Sequence, residues 1–146
     1  MEIVVEGVTK RFVDTIAVNN VNLTFSDKTF TCIYGPPGAG KSTLLRLIAG
    51  LEWPDGGRIL IGSKDVTPHP PMVRGVSYVA QEFALYPNMN VYRNIAYPLK
   101  IMKLRKEEIG QRVKESTGFL KIDHLLDRMP VQLSGGEQQR VAIARG

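Results

Sequence analysis

The feature that most constrains this chain is a run of eight residues, Gly35-Pro36-Pro37-Gly38-Ala39-Gly40-Lys41-Ser42, followed by Thr43. It fits the pattern G-x-x-x-x-G-K-[ST]. Upstream, Thr29-Phe30-Thr31-Cys32-Ile33-Tyr34 is β-branched and aromatic and stops at Gly35, which predicts a strand. Downstream, Leu44, Leu47, Ile48 and Leu51 recur at i, i+3, i+4 and i+7 and predict one apolar helical face. Gly50 and then Pro54-Asp55-Gly56-Gly57 supply its stop. A backbone that turns from strand to helix through glycines can curl until its N–H groups converge on a small volume. A helix starting near Lys41 adds free N–H groups and the positive end of its dipole. Such a loop is built for the oxygens of a triphosphate. Lys41 is placed to set its ammonium between the β- and γ-phosphates, and Ser42 to offer its hydroxyl to Mg²⁺.

The rest of the chain alternates strands with helices. Residues 3–8, 21–25, 58–61 and 76–79 read as strands, and Thr67-Pro68-His69-Pro70-Pro71 as loop. Beyond residue 81 the pattern turns helical. Asn90 is positioned to cap a helix through Val91, Ile95 and Ala96, which Pro98 is expected to end. Residues 105–117 form a polar helix with Glu107→Gln111 and Glu108→Arg112 at i, i+4 spacing. Asp123 opens a short turn that stops at Met129-Pro130, and Ser134 with Glu137 three residues later forms a capping box. The outline is α/β with a helical subdomain.

Composition removes several alternatives. A single cysteine, Cys32, excludes an internal disulfide and a four-cysteine zinc site, and its place in the strand before the loop predicts a small buried core residue. His69 and His124 have no ligand spacing to other residues, so neither is assigned a metal or an acid–base role. No apolar run approaches the roughly 20 residues needed to span a bilayer, and the first residues lack the pattern of a signal peptide. The expected location is cytoplasmic. The net charge of +5 fits an anionic partner, and equally a few surplus lysines that keep a protein soluble. The densest basic stretch, residues 100–114, lacks interleaved aromatics, so no nucleic-acid partner is expected.

The loop alone does not choose among kinases, GTPases, helicases and transport ATPases. Residues 133–140, Leu-Ser-Gly-Gly-Glu-Gln-Gln-Arg, do choose. They resemble the signature of the ATP-binding cassette (ABC) family, and the order of loop, Gln81, helical insert and signature is also similar to that family. The resemblance implies the P-loop NTPase core of the ABC type, with an N-terminal antiparallel β portion. Residues 1–81 would be the nucleotide-binding core, 82–135 the helical subdomain and 136–146 the start of the signature helix. It further implies that two such subunits face each other head to tail, each ATP lying between one P-loop and the other signature. Residues Gly35, Pro36, Pro37, Gly38, Ala39, Gly40, Lys41, Ser42 and Thr43 would then hold ATP. Ser134, Gly135, Gly136 and Glu137 would reach the nucleotide of the opposite subunit. Ser134 would order its own helix and touch phosphate as well.

In the same frame Gln81 matches the glutamine that completes the Mg²⁺ shell, so the implied metal-binding residues are Ser42 and Gln81, and the implied catalytic residues Lys41 and Gln81. Phe12, in Lys10-Arg11-Phe12, matches the aromatic that stacks on adenine, with a core or surface phenylalanine as the alternative reading; Val18 would form part of the same wall. Pro37 stands where related loops often carry serine and has neither N–H nor hydroxyl, which predicts weaker discrimination of ATP from ADP.

Residues 81–99 resemble the corresponding stretch of sugar-importer ATPases, where a transmembrane permease subunit docks. Phe83, Leu85, Tyr86 and Met89 would suit such a groove, or would simply pack the helical insert. The resemblance thus implies a membrane-peripheral subunit that hydrolyses Mg-ATP to drive import of a solute, carbohydrate by the 81–99 stretch. The alternatives are a nucleotide-binding fragment without hydrolysis and a soluble ABC ATPase outside transport. The family's Walker B Asp, catalytic Glu and switch His would follow Gly146. Their strands would lie between residues 30–34 and 76–79, which are therefore expected not to pair with each other. A chain without those strands is expected to be unstable on its own.

Overall fold

A computed structural model describes all 146 residues, Met1 to Gly146. They form two compact units, Met1–Tyr78 and Val79–Gly146.

The first unit holds a four-stranded antiparallel sheet and one helix. Strands β1 (Ile3–Phe12) and β2 (Thr15–Phe25) make a long hairpin. Strand β3 (Gly56–Ile61) pairs with the other edge of β1, and the two-residue β4 (Lys64–Asp65) closes the order β2-β1-β3-β4. Val5 lies opposite Leu23 on one side and Ile59 on the other. Helix α1 (Lys41–Ala49) packs Leu44, Leu47 and Ile48 into a core with Val5, Val8 and Ile59.

Three expectations fail here. Leu51 is half exposed, because Gly50 takes a left-handed conformation (φ 77°) that ends the helix before Leu51 can join its face. Residues 29–34 and 76–79 have extended-strand sequences but no ladder partner, with each other or with the sheet. Strand propensity without a neighbour to accept the backbone hydrogen bonds makes no sheet. Phe30 and Tyr34 are consequently 97% and 98% exposed. Cys32 is exposed as well, not a core residue, for the same reason. Only Ile33 and Val76 reach back to pack on the core. Beside these segments a cavity of about 740 Å³ opens, lined by residues that include Thr31, Ile33, Lys41, Ser42 and Leu45.

The second unit is helical: α2 (Val91–Ile101), α3 (Lys106–Leu120) and α4 (Gly135–Arg145), with 3₁₀ turns at Asp123–Leu125 and Pro130–Gln132. Its core gathers Ile95, Val113, Ile122, Leu125 and Val141. Asn90 caps α2 as expected, its side chain accepting from the Arg93 N–H at 2.9 Å. Pro98 does not end that helix. Proline forfeits one internal hydrogen bond but its φ suits a helix, Leu99 packs on the core, and the Met102 N–H still reaches the Pro98 carbonyl at 3.0 Å. Glu108 turns back to the Arg105 N–H at 3.0 Å and caps α3. Asp123 accepts from the Thr117 hydroxyl at 2.9 Å, tying its turn to the helix before it.

Candidate functional site

The segment between Tyr34 and Leu44 is curled. The Ala39 N–H donates to the Pro36 carbonyl at 3.3 Å, and Gly38 and Gly40 both adopt φ 80°. Gly40 is the N-cap of α1, with no side chain capping the helix. A Cβ there would sit 2.0 Å from the Ala17 carbonyl oxygen, so the position admits only glycine on steric as well as torsional grounds. The first helical N–H groups, those of Lys41, Ser42 and Thr43, have no acceptor within the helix. Lys41 folds across the loop, donating from Nζ to the carbonyls of Gly35 at 2.8 Å and Pro36 at 2.7 Å. Pro36, Pro37, Gly38, Ala39 and Ser42 are exposed; Gly35, Gly40, Lys41 and Thr43 are half-buried. The loop's own lysine spans two of its carbonyls, and the first N–H groups of α1 have no partner within the helix. An anion is the ligand such an arrangement suits.

Phe12 ends β1 and is 42% exposed. Val18 is 5% exposed and belongs to the core with Leu44, so it offers a flat ligand little surface. Ser42 presents a hard hydroxyl oxygen from the first turn of α1. No group of three His, Cys, Asp or Glu side chains could cage a metal. A hydroxyl at this place in a phosphate loop suits one position of a Mg²⁺ whose other ligands are phosphate, water and carboxylate oxygens.

In the second unit Gln81 is exposed in a turn. Two features fix the segment that follows, and the sequence reading missed both. Arg145, from the end of α4, donates to the carbonyls of Ala84 at 2.7 Å and Phe83 at 3.1 Å. It thereby holds two residues whose φ values are positive, 57° and 46°. The fully buried Asn94 accepts from the Tyr86 N–H at 2.8 Å and donates to the Met89 carbonyl at 2.8 Å. An asparagine at a buried helical position and an arginine closing the last helix were the available signals. Of the four residues expected in a docking groove, Phe83, Leu85 and Met89 are half-buried and Tyr86 is 40% exposed. Leu85 packs on the helical core, and Tyr86 meets Tyr97 edge-on at 5.0 Å between centroids.

Ser134 is the N-cap of α4, and the expected capping box is present. Glu137 accepts from the Ser134 N–H and hydroxyl, each at 2.7 Å, while the Glu137 N–H donates to the Ser134 hydroxyl oxygen at 3.4 Å. The hydrogen bonds from Ser134, helped by the charges of Arg128 and Arg140, hold the Glu137 carboxyl below its ordinary range. Gly135 and Gly136 form the first turn, and a Cβ on either would meet nothing within 4 Å.

The family model for ABC transporters matches residues 18–146. The chain belongs to the ABC transporter family. Among its relatives, a molybdate/tungstate import ATP-binding protein of Methanocaldococcus jannaschii is 54% identical over 125 residues, covering 85% of this chain and 42% of the relative. A sulfate/thiosulfate import ATP-binding protein of Agrobacterium fabrum is 45% identical over 147 residues, covering 99% of this chain and 43% of the relative. The dimeric structure of MJ0796, described as a bacterial ABC transporter cassette, superposes with a TM-score of 0.87 at 35% identity, covering 98% of this chain and 68% of that one. This ABC chain therefore spans less than half the length of the curated relatives it matches. Family and fold agree with the resemblance carried by the loop and by residues 133–140. No helix is long and apolar enough to cross a membrane.

Proposed function

We propose that this chain is the nucleotide-binding portion of an ABC import ATPase subunit. It holds Mg-ATP on residues 35–43, with the base on Phe12, and with Ser42 as a metal-binding residue. The observation that carries the reading is the open loop. Two left-handed glycines, a helix start with no side-chain cap and a lysine bridging two loop carbonyls leave N–H donors and an ammonium for an anion. When ATP binds, the Lys41 ammonium would trade a neutral carbonyl acceptor for an ionised phosphate oxygen, so that both partners of the bond carry charge. Mg²⁺ supplies charge neutralisation at the phosphates, and Ser42 supplies its protein oxygen.

The second element is a head-to-tail pair. Glycines in a helix cost about 1 kcal/mol each relative to alanine. Nothing inside the chain requires them at 135 and 136. A backbone kept bare on its outer side suits the close approach of another subunit's phosphate. A transmembrane permease docks at 81–99, at the cytoplasmic face of the membrane, with Tyr86 as the exposed ring. Nucleotide binding is the primary readout of this reading.

Import is supported by the names of the relatives. For the solute, residues 81–99 support carbohydrate, as in the sugar importers they resemble. The two relatives named for molybdate or tungstate and for sulfate or thiosulfate favour a tetrahedral oxyanion. The assembled transporter separates these two readings: uptake of labelled molybdate or of labelled disaccharide, abolished by Lys41→Ala, selects one.

The decisive experiment on nucleotide is ATP binding by calorimetry with and without Mg²⁺. Lys41→Ala is expected to weaken it roughly 10- to 100-fold, the value of a charge-assisted contact. Unchanged affinity in that variant would dismiss the loop as the triphosphate site. Retained binding without Lys41-dependent turnover in the complete subunit pair would favour a nucleotide-holding module over an ATPase.

A further inference from the structure

Phe12 stands 42% exposed at the end of a strand, an arrangement that by itself would let the side chain swing. It is held by what lies next to it. The Lys10 ammonium sits over the Phe12 ring, 5.2 Å from its centroid. That ammonium is itself fixed: it donates to the Trp53 carbonyl at 2.8 Å and lies 3.7 Å from the Asp55 carboxylate, with only 14% of the side chain exposed. Asp55 also accepts from the Arg11 N–H at 2.6 Å, and its own N–H donates to the Thr9 carbonyl at 2.8 Å. Residues 53–55 thus latch the last turn of β1 on both sides of the lysine.

We infer that Lys10 is a positioning residue for base binding: it anchors one face of the Phe12 ring and leaves the opposite face to the base of the nucleotide. The inference rests on the proposed stacking role of Phe12. A cation over one face of an aromatic ring fixes the ring electrostatically and sterically. A ring held this way loses less freedom when a planar ligand stacks on it. Lys10 touches no nucleotide in this arrangement; it acts through Phe12, with the 53–55 latch keeping the ammonium in place.

The test separates the base from the phosphates. Binding of ATP and of inorganic tripolyphosphate, each with Mg²⁺, is measured for the full chain and for Lys10→Met, Lys10→Arg, Phe12→Ala and the Lys10→Met/Phe12→Ala double variant. Lys10→Met is expected to weaken ATP about fivefold, in line with a cation–π contact, and to leave tripolyphosphate unchanged. Lys10→Arg restores ATP binding. In the Phe12→Ala background, loss of the lysine has no further effect, the mark of a coupled pair. Equal weakening of both ligands would mean that Lys10 only supports the hairpin, and additive effects of the two substitutions would separate it from Phe12; either result overturns the inference. A parent chain that binds tripolyphosphate as tightly as ATP would remove base stacking while leaving the phosphate site intact. A parent that binds neither would remove the nucleotide reading, and this inference with it.

Discussion

The starts of α1 and α4 are both glycine-rich helix N-termini, yet they are finished in opposite ways. Helix α1 begins at Gly40, with no side-chain cap and an ammonium at the loop rim. Helix α4 begins at Ser134, with a hydroxyl and the Glu137 carboxylate already on its own N–H groups. The far end of α1 is secured. The last carbonyls of α1 are tied down by the buried Arg74, which donates to Leu47 at 2.8 Å and Ile48 at 3.0 Å, as well as to His69 at 2.8 Å and Thr67 at 3.3 Å. An open N-terminus on a helix secured at its far end can receive an anion without rebuilding the helix. A self-capped one carries its own anion, and a phosphate approaching it must share Ser134 with Glu137. The difference teaches that glycine content alone does not leave a helix start empty; the cap decides whether an incoming anion would meet bare N–H groups or ones already in use.

The largest expected effect breaks the open end. Gly40→Ala forces a Cβ into the Ala17 carbonyl and strains a left-handed residue, a conformation that alone costs roughly 1–2 kcal/mol. Destabilisation of about 3 kcal/mol is expected by denaturant unfolding, with ATP binding lost. An Ala variant of parent stability would mean that the loop is looser than its geometry. The next effect removes the far anchor. Arg74→Met leaves four carbonyls without their donor and is expected to cost about 2–3 kcal/mol. It should weaken ATP binding less than Gly40→Ala does, because the start of α1 keeps its shape.

The same substitution in the other helix should have the opposite sign. Gly136→Ala meets open space, and alanine is the better helix former. A gain of about 0.5 kcal/mol is expected, together with loss of nucleotide-dependent pairing, since the methyl group stands where a second subunit's phosphate would come. Stabilisation with pairing intact, seen by sedimentation in ATP, would separate Gly136 from the proposed interface.

How far the sequence reveals these structures follows from the range of the forces. The caps at Asn90 and Ser134 and the face of Leu44, Leu47 and Ile48 are legible because each signal lies within one helical turn. Strand boundaries extend beyond the sequence reading, to Phe12 for β1 and back to Thr15 for β2, because cross-strand pairing carries residues such as Lys10 and Arg11 that have no strand pattern of their own. Thr29–Tyr34 carries strand residues and forms no strand, because a ladder needs a neighbour and no local pattern supplies one. Pro98 reads as a stop, yet Leu99 packs on the helical core and carries α2 past it. Within the candidate site, the curl of the loop at Gly38 and Gly40 is legible from the glycines themselves. Arg74, Lys10 and Arg145 are not, since each donates to a backbone carbonyl distant in sequence.

The smallest effect concerns pH, and it belongs to the closed end alone. Folding holds the Glu137 carboxyl below its ordinary value through the Ser134 hydrogen bonds and the neighbouring arginines. A depressed carboxylate contributes stability that is present above its unfolded pKa of about 4.3 and is lost as pH falls through the folded value. The start of α4 should therefore fray in acid while the start of α1, which has no acidic residue in its first turn, should not. Global unfolding cannot isolate this, because Asp65 and Glu108 are depressed by their own hydrogen bonds as well. Amide exchange of Glu137 and Gln138 reads it locally. In Glu137→Gln the side-chain oxygen still accepts from Ser134 at every pH, so protection should become flat across the acid range in which the parent loses it. If the variant frays at the same pH as the parent, the acid sensitivity of this helix start comes from elsewhere, and its closure by Glu137 is not what distinguishes it from α1.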